Sequence, residues 1–291
     1  MSRPKLHHYV PRSYLARFAD ADGFLHVYDK STNSFRRQRP EQVMKINAYY
    51  RQEWAPPGVD PDILERSLGE WLEAEAKAAI DTLSQTPHEL TDQQLADFLV
   101  YLELQRVRVP RQAEVGKELM RQTILRLVPE AAAAVASGQV RLSMKDSARF
   151  DYVRLSLGAF SPWFEAMKWE IVDAEPGSAF ITTDSPVSFF NPAVLPPAEA
   201  GIGLAGTIAF FPLSSRKLLL MRHAQRQDEP SLPLTVLETP EHEDGFVAID
   251  IGAVWPKDVV QRLNWKLSLL SANLIVAESR EVIAGVLDGA V

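Results

Sequence analysis

Thr91 to Arg111, TDQQLADFLVYLELQRVRVPR, is the stretch from which the fold is read. Thr91 caps a helix, and Leu95, Phe98, Leu99 and Leu102 recur at helical spacing to make one apolar face. A second apolar row runs through Val100, Leu104 and Val107, so this helix is covered on two sides and belongs at the centre of the molecule. It ends where Pro110 removes a backbone N–H, with Gln105, Arg106 and Arg108 crowded into the last turn. Cations at that end complement the helix dipole, which by itself accounts for the two arginines.

Upstream, Asp60 and Pro61 supply a cap and a first-turn proline for a helix running to about Gln85. Its apolar stripe reads Leu64, Leu68, Trp71, Leu72, Ala79 and Leu83. Steps of about 100° per residue place Glu75 inside that stripe and Glu73 on the far side. A carboxylate among apolar side chains is costly unless paired, and Arg106 is the natural partner for Glu75. Nearer the start lies KLHHYVPRSYLARF, Lys5 to Phe18, where Pro11 opens a short helix whose inner face is Tyr14, Leu15 and Phe18. His7 and His8 precede that proline in extended chain, so one points inward and the other outward. GFLHVY and the segment around Phe35 to Arg39 form a hairpin. The stretch from Val43 to Trp54 fits neither helix nor strand cleanly.

Downstream, helices are expected from Arg111 to about Leu127 and from Lys145 to about Leu157. After Trp163 the texture changes to strands. KWEIVDA and AFITTDSPV, joined by EPGS, read as a hairpin that stops at Asp184-Ser-Pro. TIAFFPLSSRKLLLMRH gives two more strands, followed by FVAIDIGAV, a helix over about Lys257 to Leu270, and a closing strand at Leu274 to Ala277. Asn191 to Gly206, rich in Pro, Ala and Gly, reads as a loop. Helices first and strands later predict α+β: a mainly helical first half, residues 1–160, packed on a mainly antiparallel sheet from residues 161–291, in one domain.

Four blocks in this order, HHYVPRSYLARF, LQRVRVPR, FITTDSPV and RLNWKL, resemble a widespread microbial domain family of unknown function. That family carries an N-terminal His-His-Tyr-x-Pro block and a central Thr-Ser-Asp-Asn-Pro block. Here Thr183 and Ser185 stand where the family more often has Ser and Asn. The resemblance spans nearly the whole chain, implies no established activity, and singles out Gln105 and Arg108 as residues to grip a ligand.

Composition narrows the classes. The chain has 291 residues, 46% of them hydrophobic, which suffices for a large core, and no cysteine, which excludes disulfides and thiolate sites. No apolar run reaches the ~18 to 20 residues that a membrane helix needs, so a cytoplasmic protein is expected. The net charge is −7, but residues 1–51 carry ten Lys or Arg against four acids, while Asp228 to Asp250 holds seven acids and no Lys or Arg. An acidic whole disfavours indiscriminate nucleic-acid binding, and the basic N-terminal part suits a small anionic or phosphate-bearing ligand. Gly-rich nucleotide loops and nucleophile elbows are absent, and the paired histidines lack the downstream Asn and His of a ββα-metal nuclease.

Two function classes follow. In the first, His8, Glu75 and Asp184 converge to hold a divalent metal for phosphodiester hydrolysis, with His8 and Asp184 as catalytic groups and Gln105, Arg108 and His7 binding the substrate. In the second, the same polar residues are a structural network within a binding or regulatory module, or sense an anionic ligand without turning it over. The first requires the blocks to meet around the N-terminal imidazoles. The second requires that their polar groups satisfy one another.

Overall fold

The computed structural model describes residues 6–51, 56–63, 73–145, 147–196, 198–224, 233–240 and 247–289. The chain begins with strand β1 (Leu6–His8), a one-turn helix α1 (Arg12–Leu15) that starts behind Pro11, and the hairpin β2 (Leu25–Asp29) and β3 (Ser34–Gln38). Strand β4 (Lys45–Asn47) returns antiparallel to β1. Four helices follow: α2 (Glu73–Gln85), α3 (Asp92–Val107), α4 (Pro110–Leu127) and α5 (Pro129–Ala136). Then come α6 (Ala148–Ser156) and α7 (Ser161–Ala166). The strand-rich part comprises β5 (Lys168–Ala174), β6 (Thr182–Thr183), β7 (Ser188–Phe190), β8 (Ile208–Pro212), β9 (Lys217–Arg222) and β10 (Ile249–Trp255). Helix α8 (Lys257–Leu270), β11 (Leu274–Ala277) and α9 (Arg280–Asp288) close the chain. This is the expected α+β architecture. The expected helix from Asp60 to Gln85 is seen over its second half, and Leu64, Leu68, Trp71 and Leu72 lie outside the described residues.

The strands form a five-stranded sheet ordered β10-β5-β9-β8-β7 and a four-stranded sheet ordered β3-β2-β11-β6. All pairings are antiparallel except β10 with β5. The KWEIVDA–FITTDSPV hairpin is therefore corrected. β5 pairs with β9 and β10, whereas Thr182 and Thr183 cross to the other sheet and pair with β11. The reason is local: Asp184, Asn264 and Tyr14 hold that segment against β11, α8 and α1, away from β5.

β9 is buried on both faces, so its inner residues are continuously apolar and carry no alternation for a sequence to display. On one face lie α1 and α3. Phe211 of β8 stacks on Tyr14 at 5.2 Å, and Phe98 of α3 meets both Trp169 and Phe211 at 5.8 Å. On the other face Val172, Leu218 and Leu220 pack with Val260, Leu263 and Ile275 of α8 and β11. α3 is as central as its two apolar rows imply, with Thr91 forming a capping box with Gln94, although Val100 of the second row is partly exposed. Among the described residues no helix is long and apolar enough to cross a membrane.

Candidate functional site

Pairing of β1 with β4 decides which histidine faces inward. His7 stands opposite Ile46 and His8 opposite Lys45, and the pleat sends the two rings to opposite sides. His7 is buried, its Nδ1 accepts the Tyr50 backbone N–H at 3.0 Å, and its ring lies 8° from parallel to the Tyr50 ring. His8 is half-buried, and its Nε2 has no hydrogen-bond partner among the described residues. Burial lowers the His8 pKa, opposed by a bond to the Glu41 backbone and reinforced by the cations Lys45, Arg12 and Arg108.

Arg108 sits at the end of α3 with Gln105 one turn back. The Gln105 Oε1 accepts from Arg108 Nε at 3.0 Å, and its Nε2 donates to the Tyr9 carbonyl at 3.1 Å. Both guanidinium Nη atoms of Arg108 reach Glu73 Oε1 at 3.4 Å. Burial pushes the Glu73 carboxyl up, while Arg108 and Arg12 pull it down. Glu75 is exposed, which corrects the expectation of a buried ligand there. The buried face of α2 runs through Ala76, Ala79, Ile80 and Leu83, and this face brings Glu73 closer to the interior than Glu75. Arg106 is corrected likewise: it pairs with Glu199, lies 4.3 Å over the Phe189 ring, and shares Glu199 with Arg111 at 2.6 Å.

Asp184 is buried at the end of β6, and its carboxylate is occupied. Oδ1 accepts the N–H of Ala272 at 2.9 Å, and Oδ2 accepts those of Asn273 at 2.7 Å and Leu274 at 3.0 Å. Burial raises its pKa while these three donors and the Lys30 ammonium lower it. Lys30, just after β2, donates from Nζ to the Ser268 and Ser271 carbonyls, so the α8–β11 joint is held by an anion and a cation together. The metal set His8, Glu75 and Asp184 is therefore corrected. Glu75 is at the surface, both Asp184 oxygens are taken by backbone donors, and among the described residues no group of three His, Asp or Glu side chains could hold a metal ion.

The other polar side chains of these segments work the same way. Asn264 accepts from the Ile181 N–H at 3.1 Å and donates to the Ala179 carbonyl at 2.8 Å. Tyr14 Oη bridges Thr182 Oγ1 at 2.8 Å and the Pro212 carbonyl at 2.9 Å. Glu103, buried in α3, accepts the backbone N–H groups of Gly158, Phe160 and Ser161 and so caps α7. The blocks meet, but mainly by clamping one another's backbone.

One cavity adjoins this network. It measures about 190 Å³ and is walled by Tyr49, Tyr50, Leu104, Val107, Val153 and Leu157, with Arg108 and Arg149 also lining it. The chain turns into this wall at Ala48, whose φ of 52° lies in the left-handed region. Arg149 donates to the Tyr49 carbonyl, and its guanidinium lies 4.8 Å from the Tyr49 ring and 4.6 Å from the Phe150 ring. Tyr49 is 9% exposed, burial pushes its hydroxyl pKa up to about 12, and its Oη has no hydrogen-bond partner among the described residues. Leu157, which also lines it, is 46% exposed.

A model of a family of proteins of unknown function, DUF4238, matches residues 6–264. The chain belongs to the DUF4238 family. No curated protein and no solved structure matches it. Within this DUF4238 chain, of Gln105, Arg108 and His7, Arg108 lines the cavity, while Gln105 bonds to Arg108 and His7 stacks on Tyr50. Tyr49, Tyr50 and Arg149 were not expected. The tyrosines fall in the stretch between Val43 and Trp54, where an isolated three-residue strand and a left-handed turn leave no periodicity to read. Their only signal was two adjacent aromatics beside a basic residue, Tyr49-Tyr50-Arg51. Nothing in ARFDYV distinguishes Arg149 from a surface arginine.

Proposed function

We infer that this chain is a binding module, in which a buried polar network locks the N-terminal segment against α3 and a small ligand occupies the cavity beneath Tyr49 and Tyr50. The observation that carries this reading is the division of labour between the polar groups and the cavity. Gln105, Asp184, Asn264 and Glu103 hold backbone, whereas an apolar cavity next to them has two buried arginines among its lining residues. A concave, mostly apolar pocket with a few placed polar groups is the usual form of a small-molecule site. The test is ligand-observed NMR of a mixed small-molecule set with the wild-type chain and with Leu157→Trp, which puts a larger side chain at the cavity wall. Binding to wild type that Leu157→Trp abolishes supports the module. Equal binding to both proteins refutes it.

A second reading, a hydrolase of anionic substrates, is favoured by one feature. Burial lowers the His8 pKa, its buried Nε2 has no hydrogen-bond partner among the described residues, and the charges of Lys45, Arg12 and Arg108 act on it. Such an imidazole suits a general base beside an anion. Release of nitrophenolate from bis(nitrophenyl) phosphate, abolished in His8→Ala, supports this reading, and rates equal in both proteins remove it.

A further inference from the structure

A second surface, apart from the cavity beneath Tyr49, has no role in the readings above. β10 is the outer strand of the five-stranded sheet, and among the described residues no strand lies beyond it. The opposite outer strand, β7, is largely buried, whereas Ile251 and Val254 of β10 are 56% and 59% exposed. The Ala248 carbonyl accepts the Trp169 N–H, and in a parallel ladder this turns the N–H and C=O of Ile249 and Ile251 towards the open side. An open row of backbone donors and acceptors beside apolar side chains is a template for one more strand.

The side chains along that row set which strand fits. Val247, Ile249 and Ile251 fall on one face, where they share a cavity of about 300 Å³ with Leu90 and Leu95 around the start of α3. Asp250 turns to the other face, where its carboxylate lies 2.6 Å from the Lys168 ammonium. Alternate residues of an added strand therefore meet an apolar wall and a carboxylate in turn. Exposed Asp92 borders the same cavity, and exposed Glu89 stands in the turn before it. The sequence from Asp228 to Asp250, which ends on this strand, holds seven acids and no Lys or Arg. The complement is a strand that alternates apolar residues with Lys or Arg.

A second copy of the chain fits less well. β10 against β10 sets acidic edge against acidic edge, and like charges across a strand pair are destabilising. The basic outer strand β3 is already engaged within its own chain, with Arg36 bonded to Asp29 and Arg37 to Asp20 and Asp22.

We propose that the open edge of β10, from Val247 to Ile251, docks an extended peptide in which apolar residues alternate with Lys or Arg, so that the peptide adds a sixth strand to the sheet. The addition ends at Gly252, where the register slips and φ is 91°.

The experiment is fluorescence anisotropy of the full chain with labelled hexapeptides: three Lys-Val repeats, three Glu-Val repeats, and the Lys-Val peptide N-methylated either on its valine or on its lysine amides. The Lys-Val peptide is expected to bind at least tenfold more tightly than the Glu-Val peptide. One of the two methylated peptides is expected to lose about tenfold, since only one row of amides faces β10. Ile251→Lys, at an exposed position, is expected to weaken the Lys-Val peptide at least tenfold, and Asp250→Lys to shift the preference towards Glu-Val. Hydrogen exchange of the Ile249 and Ile251 amides is expected to slow when the Lys-Val peptide is added. Equal affinity for the Lys-Val and Glu-Val peptides, full affinity of both methylated peptides, or no saturable binding of the Lys-Val peptide would overturn the proposal. A dimer in sedimentation that Ile251→Lys dissolves would overturn it in favour of a second copy on this edge.

Discussion

The side-chain amide of Gln105 donates to the backbone carbonyl of Tyr9 at 3.1 Å, across 96 residues of chain. This bond fastens the N-terminal segment to the central helix in a site without solvent, since Gln105 is fully buried. Gln105→Leu keeps the volume but removes the bonds that the Tyr9 carbonyl and Arg108 Nε make to the amide. Buried groups that lose such a bond cost about 1 to 3 kcal/mol each. Urea denaturation is expected to show a loss of roughly 2 to 4 kcal/mol, with an unchanged denaturant slope.

Asp184 distinguishes a clamp from a catalytic group. Asp184→Asn replaces one acceptor oxygen by a donor that faces a backbone N–H. Loss of charge-assisted bonds of this kind costs about 1.5 to 3 kcal/mol each. The expected result is a lower melting temperature with ligand binding to the remaining folded protein unchanged. Full stability in Asp184→Asn would contradict the clamp.

Glu199 gives the protein an acid limb. Burial pushes its carboxyl up, but the guanidinium groups of Arg106 and Arg111 and the Gln112 amide outweigh that, and its pKa lies below the ordinary carboxylate value. A depressed folded-state pKa means stability that is present above the unfolded value, ~4.3, and lost as pH falls through the folded one. Glu199→Gln is expected to lower stability by roughly 2 kcal/mol at pH 7, between the values for exposed and buried pairs, and to flatten the decline below about pH 4.5. Chemical denaturation between pH 3 and pH 7 reads both effects.

Gly116 sets the distance between α4 and α6. A Cβ there would lie 2.3 Å from Cγ of Tyr152, inside the ring's own contact radius. Gly116→Ala is expected to destabilise by about 1 to 3 kcal/mol through overpacking, and Tyr152→Leu in the same chain is expected to recover most of it. Because α6 carries Arg149 and Val153, the single variant is also expected to weaken ligand binding in calorimetry.

Much of the fold was legible because it is written in local chemistry. Pro11 opens a helix, Thr91 caps one, Pro110 marks where the central helix has stopped, and the alternation of GFLHVY makes a strand. Asp184 stood out as a polar residue closing an apolar strand, and it is indeed buried and fully bonded. What was not legible depends on partners distant in sequence. Glu75 was placed inward by the leucines before residue 73, whereas Ala76, Ala79, Ile80 and Leu83 define the buried face of α2 as described. FITTDSPV was paired with its neighbour in sequence because a turn lay between them, while the clamps that carry it to the other sheet come from residues 14, 264 and 272–274. The cavity was hidden because its walls come from four separate segments, none of which is unusual alone.

The most direct measurement is a crystal structure of the chain soaked with bromobenzene, with data collected at the bromine absorption edge. One anomalous peak is expected inside the cavity, in contact with Tyr50 and Leu104. An empty cavity at saturating ligand, or a bromine peak only elsewhere on the molecule, would contradict it.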